Sequence, residues 1–184
     1  MNFRAHEIIL SVVCGLSQRG SWSGKTHVIK TLYLLKAIGN MDMPFQFILY
    51  KHGPYSFDVE NELALMRSYK AIEGEISIQG YGESLRPGMN KDFPGKFSPI
   101  KDKEKEIIDK ICNFTAKKDV RDLERLATTA WIVKEEEKKD PTIVSSRLHE
   151  LKPHISLESA KEAFDELQRI VRLLSDMEKQ EISL

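Results

Sequence analysis

"GSWSGKT", residues 20–26, is the stretch on which the fold turns. Read as a phosphate-binding loop, it demands a buried strand before it, a helix after it and a nucleotide-hydrolysing α/β domain around it. Read as a turn, it leaves a helix on each side. A phosphate loop needs G-x-x-x-x-G-K-[ST], because four intervening residues let backbone N–H groups curl around the phosphates. Gly20 and Gly24 are separated by only three residues, and Arg19 stands where the first glycine should be. Ahead of the stretch, Ile8, Ile9, Val12, Val13 and Leu16 recur at helical rather than strand spacing. No apolar strand ending in aspartate follows to hold magnesium. The stretch therefore reads as a helix–helix turn. Gly20 ends the first helix, Ser23 or Gly24 caps the second, and Lys25-Thr26 opens it.

Outward from that turn, Val28, Ile29, Leu32, Leu35 and Ile38 form the apolar stripe of the second helix, with Lys30 and Lys36 facing away. Gly39-Asn40 stops it. Phe45, Phe47 and Leu49 alternate with Gln46, Ile48 and Tyr50, which predicts a short extended segment broken at Gly53-Pro54. A third helix follows from about Phe57 to Tyr69, with Val59, Leu63, Leu65 and Met66 inward. Residues 73–99 are rich in glycine and proline, and Ile76 and Ile78 alternate with polar residues, which predicts a β-hairpin or wing. The rest is helical. One stripe holds Ile107, Ile108, Ile111 and Phe114, and a second holds Leu123, Leu126, Ala127, Ala130 and Trp131. A short helix spans about Ile143 to Leu151. The last carries Ala160, Ala163, Phe164, Leu167, Ile170, Val171 and Leu174.

The expected fold is mainly α. Residues 1–99 form a winged-helix-like lobe with a small β-hairpin at about 72–99. Residues 100–184 form a C-terminal helical bundle packed with it as one unit.

The 184 residues suffice for one compact domain or two lobes sharing a core. With 28 basic and 28 acidic residues, the balance leans against a dedicated nucleic-acid or membrane-surface binder. Up to residue 100 there are 11 basic and 9 acidic residues, against 17 and 19 beyond it. Cys14 and Cys112 lie far apart in apolar stretches and read as reduced thiols of a cytoplasmic protein. The longest uncharged stretch near the N-terminus, residues 8–18, is too short to cross a membrane.

"YKHGPYSFDVE", residues 50–60, is the other informative stretch. Gly53 can take positive φ, Pro54 fixes the bend, and Ser56 is a plausible N-cap. Asp58 and Glu60 suit the first turn of a helix, where negative charge meets the dipole. His52 and Tyr55 bracket the turn without any such structural demand. Were the fold a DNA-reading winged helix, the third helix would face the duplex. Its acidic leading edge of Asp58, Glu60 and Glu62 opposes phosphates. Candidate nucleic-acid contacts are then Lys25, Lys30 and Lys36 on the second helix. His149 and His154 are five apart with Pro153 between them, so helical metal-ligand spacing does not apply. No catalytic or metal constellation is nominated, and no cofactor is expected.

Three stretches, "GKTHVIKTLYLLKAIG", "FILYKHGPYSFDVENELALM" and "LERLATTAWIVKEE", together with the closing "LKPHISLESAKEAFDEL", resemble the YwgA-like family of bacterial and archaeal proteins. That family in turn is similar to SocA-like (Panacea) antitoxin domains. Lys30, Tyr50, His52, Gly53, Pro54, Tyr55 and Ser56 match the shared motif positions. The antitoxin relatives imply binding of a protein partner, a toxin or a client; with no catalytic constellation in the sequence, the expected function is a non-enzymatic antitoxin-like, adaptor or defence-associated component. The partner surface expected is His52, Gly53, Pro54, Tyr55, Ser56 and Asp58. Self-association as a homodimer stays open. The alternatives are a winged-helix DNA-binding regulator and, behind it, a nucleotide-dependent enzyme.

Overall fold

The structure, a computed structural model, describes residues 2–76 and 82–181. Ile78, assigned above to the hairpin, lies outside the described residues. The chain is mainly helical, with seven α-helices and two small antiparallel hairpins among the described residues.

Helix α1 spans Phe3–Gln18 and is capped by Asn2, whose side chain accepts from Ala5 N at 3.1 Å. It buries Ile8, Ile9, Val12, Val13 and Leu16. Its end is a Schellman motif. Ser21 N donates to Leu16 O at 3.1 Å and Gly20 N to Ser17 O at 3.0 Å, with Gly20 at φ 68°. A side chain at Gly20 would meet no neighbour, so the conformation alone calls for glycine there.

Helix α2 spans Lys25–Ala37 and starts at Gly24, which offers no side-chain cap. A Cβ at Gly24 would come within 2.9 Å of Glu83 O. Leu85 N, from a distant strand, donates to Ser23 O at 2.8 Å. Residues 20–26 are thus a turn with a strand laid against it, and the two glycines serve two different purposes.

The second helix differs from its expected one-sided stripe. Every residue from His27 to Leu35 is buried, Lys30 included at 1% exposure. Packing of α2 against helices on several sides and a hairpin leaves it no solvated face in that stretch.

The extended segment at 45–50 proves to be half of a hairpin. Strand β1, Ile48–Tyr50, pairs with β2, Gly53–Tyr55, in the register Ile48↔Tyr55, Leu49↔Pro54 and Tyr50↔Gly53. Gly53-Pro54 does not break the segment. Gly53 completes the reversal at φ 81°, and Pro54 is tolerated in a strand with a single strand partner.

Helix α3 spans Phe57–Ser68, with Ser56 Oγ accepting from Val59 N at 3.3 Å. Strands β3, Ile72–Ile76, and β4, Glu83–Pro87, make the second hairpin. Its strands stop well short of residue 99. From Gly88 the chain turns back over the start of α1, where Phe3 stacks on Phe97 at 4.4 Å between ring centroids.

Helices α4 (Asp102–Thr115), α5 (Val120–Lys134), α6 (Pro141–Leu151) and α7 (Leu157–Glu181) complete the chain. One core runs from Ala5 to Leu174 and draws on α1, α2, α3, β3, β4, α4, α5 and α7. A second cluster, centred on Ile132, Val144, Leu148, Ala160 and Phe164, joins α5, α6 and α7.

Candidate functional site

The β1–β2 hairpin stands on a buried polar knot. Lys30 donates from Nζ to Pro54 O at 2.7 Å, on the buried side of β2. Lys152, at the end of α6, donates to Lys51 O in the hairpin turn and to Glu124 Oε1 at 2.7 Å. Glu124 itself comes from the first half of α5. Its second oxygen, Oε2, lies 3.5 Å from His52 Nδ1. Thr128, one turn on, donates to Glu124 O at 2.7 Å. Lys30, Glu124 and Lys152 are 1%, 8% and 6% exposed, so these charges interact with little screening by water.

Glu124 pairs directly with Lys152, while Lys30 is held by Pro54 O and meets the same carboxylate only through its field. Burial pushes the Lys30 amine down to about 8, with Glu124 opposing the shift and Lys152 adding to it. Pro54 O and Lys51 O absorb part of the excess positive charge as hydrogen-bond acceptors. The turn cannot lift away without stranding these ammonium groups. Gly53 fits the same logic. A Cβ there would lie 2.5 Å from Thr128 Oγ1 and 3.5 Å from Lys30 Nζ.

Above the knot the hairpin presents rings. Tyr50, Tyr55 and Phe57 form a triangle, with centroids 6.0 Å apart for Tyr50–Tyr55, 6.0 Å for Tyr50–Phe57 and 5.2 Å for Tyr55–Phe57. Tyr50 is 58% exposed, Phe57 51% and Ile48 45%. Tyr55 donates its hydroxyl to Glu60 Oε2 at 2.8 Å, and Lys25 bonds the other oxygen of the same carboxylate. The Lys25 ammonium holds the Glu60 carboxyl below the usual range, with help from the Tyr55 hydroxyl. Asp58 Oδ2 accepts from Gln46 N at 2.8 Å and so ties the approach to β1 onto the start of α3.

The expected partner residues divide. His52 and Asp58 are exposed beside the rings, and Tyr55 is half-buried among them. Gly53, Pro54 and Ser56 are buried and shape the hairpin from below. The three lysines form no stripe. Lys25 is engaged by Glu60, and Lys36 is half-buried with its ammonium 5.6 Å from the Phe47 ring centroid. Lys30 does not face away from the core, as its place in the sequence suggested. It is buried because Pro54 O and Glu124 compensate its charge.

Ile48, Tyr50 and Phe57 were not among the expected contacts. The alternation at 45–50 did carry the signal, since it sets Ile48 and Tyr50 on the face opposite Phe45 and Phe47. Glu124 and Lys152 carry no local signal at all. Among the described residues, no group of three or more His, Cys, Asp or Glu side chains is arranged to hold a metal ion. No helix among them is long and apolar enough to cross a membrane.

No family model matches the chain, and no curated protein matches it in sequence.

Proposed function

We propose that the chain is a non-enzymatic protein-binding module whose β1–β2 hairpin docks an apolar segment of a partner protein. The observation that carries this reading is the exposed Ile48–Tyr50–Phe57 surface, braced from below by the buried bonds of Lys30 to Pro54 O and of Lys152 to Lys51 O and Glu124. Exposed Tyr and Phe side chains with few rotatable bonds are what protein interfaces enrich. A prefixed platform also loses little conformational freedom on binding. His52, Lys51 and Asp58 supply a polar rim of mixed sign. The resemblance of "HGPYS" and its flanks to the YwgA-like family, itself similar to antitoxin domains, supports the same class, with a toxin or client as the partner.

The test co-expresses the chain with the product of the adjacent gene and measures complex formation by size-exclusion chromatography. Tyr50→Asp with Phe57→Asp abolishes the complex, while Arg172→Ala, at an exposed position of α7, preserves it. A complex that survives the double substitution sinks the hairpin reading. A peak at twice the chain mass, lost in the double variant, identifies the partner as a second copy.

A second reading, a winged-helix DNA-binding regulator, draws on one observation. The order α1, α2, α3, hairpin, interrupted by β1–β2 between α2 and α3, is joined by the Leu85–Ser23 backbone bond that lays β4 against the turn before α2. The engaged or buried lysines and the acidic start of α3 count against it. Its test is a mobility shift with random duplex at low salt, where phosphate contacts are strongest.

A further inference from the structure

We propose that a groove between α4 and α7, remote in sequence from the hairpin, docks an acidic amphipathic helix of a partner protein. The groove encloses ≈ 480 Å³. Its floor is apolar, formed by Phe114 from the end of α4 with Ile170 and Leu174 from α7, and Leu173 stands exposed at its mouth. Its rim is basic, formed by Lys110, Lys117 and Lys118. Among the described residues no carboxylate lines it, although Glu166 meets the rim through Lys118.

Packing within the chain explains most of α7 but not this part. Ala160, Ala163, Phe164, Leu167, Ile170 and Leu174 are buried along one stripe. Leu173 falls off that stripe and is 63% exposed, beside Leu174 at 8%. A leucine left in water at the mouth of an apolar groove forgoes burial that a docked side chain would recover.

The rim chooses the partner's charge. Lys118 is fixed on the groove wall, with Nζ 2.5 Å from Glu166 Oε1 and 4.5 Å from the Phe114 ring centroid. Lys110 and Lys117 are exposed and enter no ion pair among the described residues. Two ammonium groups without an ion-pair partner among the described residues thus stand on this rim, unlike the mixed rim of the hairpin. A ligand that fits must place apolar side chains downward and carboxylates along one edge. A helix with leucines at i, i+3, i+4 and i+7 and glutamates elsewhere does both. A flat anionic lipid surface reaches the lysines but not the recessed floor. Nucleic acid offers the floor nothing to bury.

The probe is a dye-labelled peptide of about 16 residues, roughly four helical turns, with that leucine and glutamate pattern. Its comparators are the same composition scrambled and a version with lysine for every glutamate. Anisotropy against the full chain is expected to give saturable binding, at least about tenfold tighter than either comparator. Leu173→Asp is expected to weaken it about tenfold or more, and Lys110→Glu with Lys117→Glu to do the same. Because all three side chains are exposed, the variants keep the wild-type melting temperature, which is measured alongside. Tyr50→Asp with Phe57→Asp leaves the peptide affinity unchanged, which separates this groove from the hairpin face. Absence of saturable binding overturns the proposal. So does equal affinity for the scrambled peptide, or undiminished binding by Leu173→Asp. Binding to phosphatidylserine vesicles that Leu173→Asp abolishes, without peptide binding, assigns the face to a membrane and overturns it as well.

Discussion

Lys152 Nζ stands 2.7 Å from Glu124 Oε1 while it also donates to Lys51 O, so one ammonium joins the end of α6, the body of α5 and the hairpin turn. The pair is 28 residues apart in sequence and almost wholly enclosed. Removing one partner leaves an uncompensated buried charge, which costs roughly 3–5 kcal/mol. Lys152→Met is therefore expected to lower stability by about that amount in urea unfolding. The double change Lys152→Met with Glu124→Leu should cost clearly less than the sum of the two single changes, because no member of this pair is then left alone. Additive losses would mean that the contact contributes no coupling.

Lys30 gives the knot a pH signature. Its folded value, about 8, lies below its ordinary 10.5. Between these values the unfolded chain binds more protons than the folded one, so stability attributable to Lys30 rises as pH rises through that window. Thiols and tyrosines titrate in the same range, and burial pushes Cys112 up to about 12, which acts with the opposite sign. The measurement is therefore a difference. The unfolding free energy of wild type minus that of Lys30→Met should grow by about 1 kcal/mol per pH unit between pH 8 and 10. A flat difference would mean that Lys30 is no harder to protonate in the folded chain.

These residues also mark where sequence reading reaches and where it stops. The end of α1 was legible because a Schellman motif depends on one local fact, the missing Cβ of Gly20. Ser56 as the cap of α3 was legible for the same local reason. Lys30 was not. A lysine on a helix reads as solvated, and what buries it arrives from Pro54 and from Glu124 on a distant helix. The hairpin was half legible. The alternation fixed β1, but Gly53-Pro54 looked like a break when it was the start of β2. The start of α6 also carries a local signal. Asp140 caps α6 through Thr142 N and Ile143 N, and Pro141 opens the helix two residues before its first large apolar side chain. The ring platform needed the pairing of Tyr50 with Gly53, and hence a register that no single segment specifies.

Gly53→Ala tests the platform at its tightest point. Positive φ for a residue with a Cβ costs roughly 1–3 kcal/mol. The clash with Thr128 Oγ1 at 2.5 Å adds to it. The variant is expected to lose at least about 2 kcal/mol in urea unfolding and to bind its partner more weakly than wild type. Adding Thr128→Ala removes the clashing oxygen but not the backbone strain. Partial recovery is therefore expected, and full recovery or none would contradict this division of the cost.

His27 is one group through which acid is expected to weaken the fold. It is 3% exposed, and its Nε2 lies 3.0 Å from Thr115 O. A carbonyl only accepts, so Nε2 carries a proton and donates it. Burial pushes the imidazole down to about 4 from 6.5, and the bond to Thr115 only partly offsets that shift. The unfolded chain thus binds the extra proton first as pH falls. Stability attributable to His27 is present above pH 6.5 and is lost as pH falls from there toward 4, with a total on the order of 3 kcal/mol. His27→Gln keeps an N–H that can reach Thr115 O but has nothing to titrate. Whatever the variant costs near neutrality, its deficit against wild type should shrink steadily from pH 6.5 to pH 4 in parallel urea titrations. A deficit that stays constant across that range would place the proton uptake on other groups and leave His27 with a packing role alone.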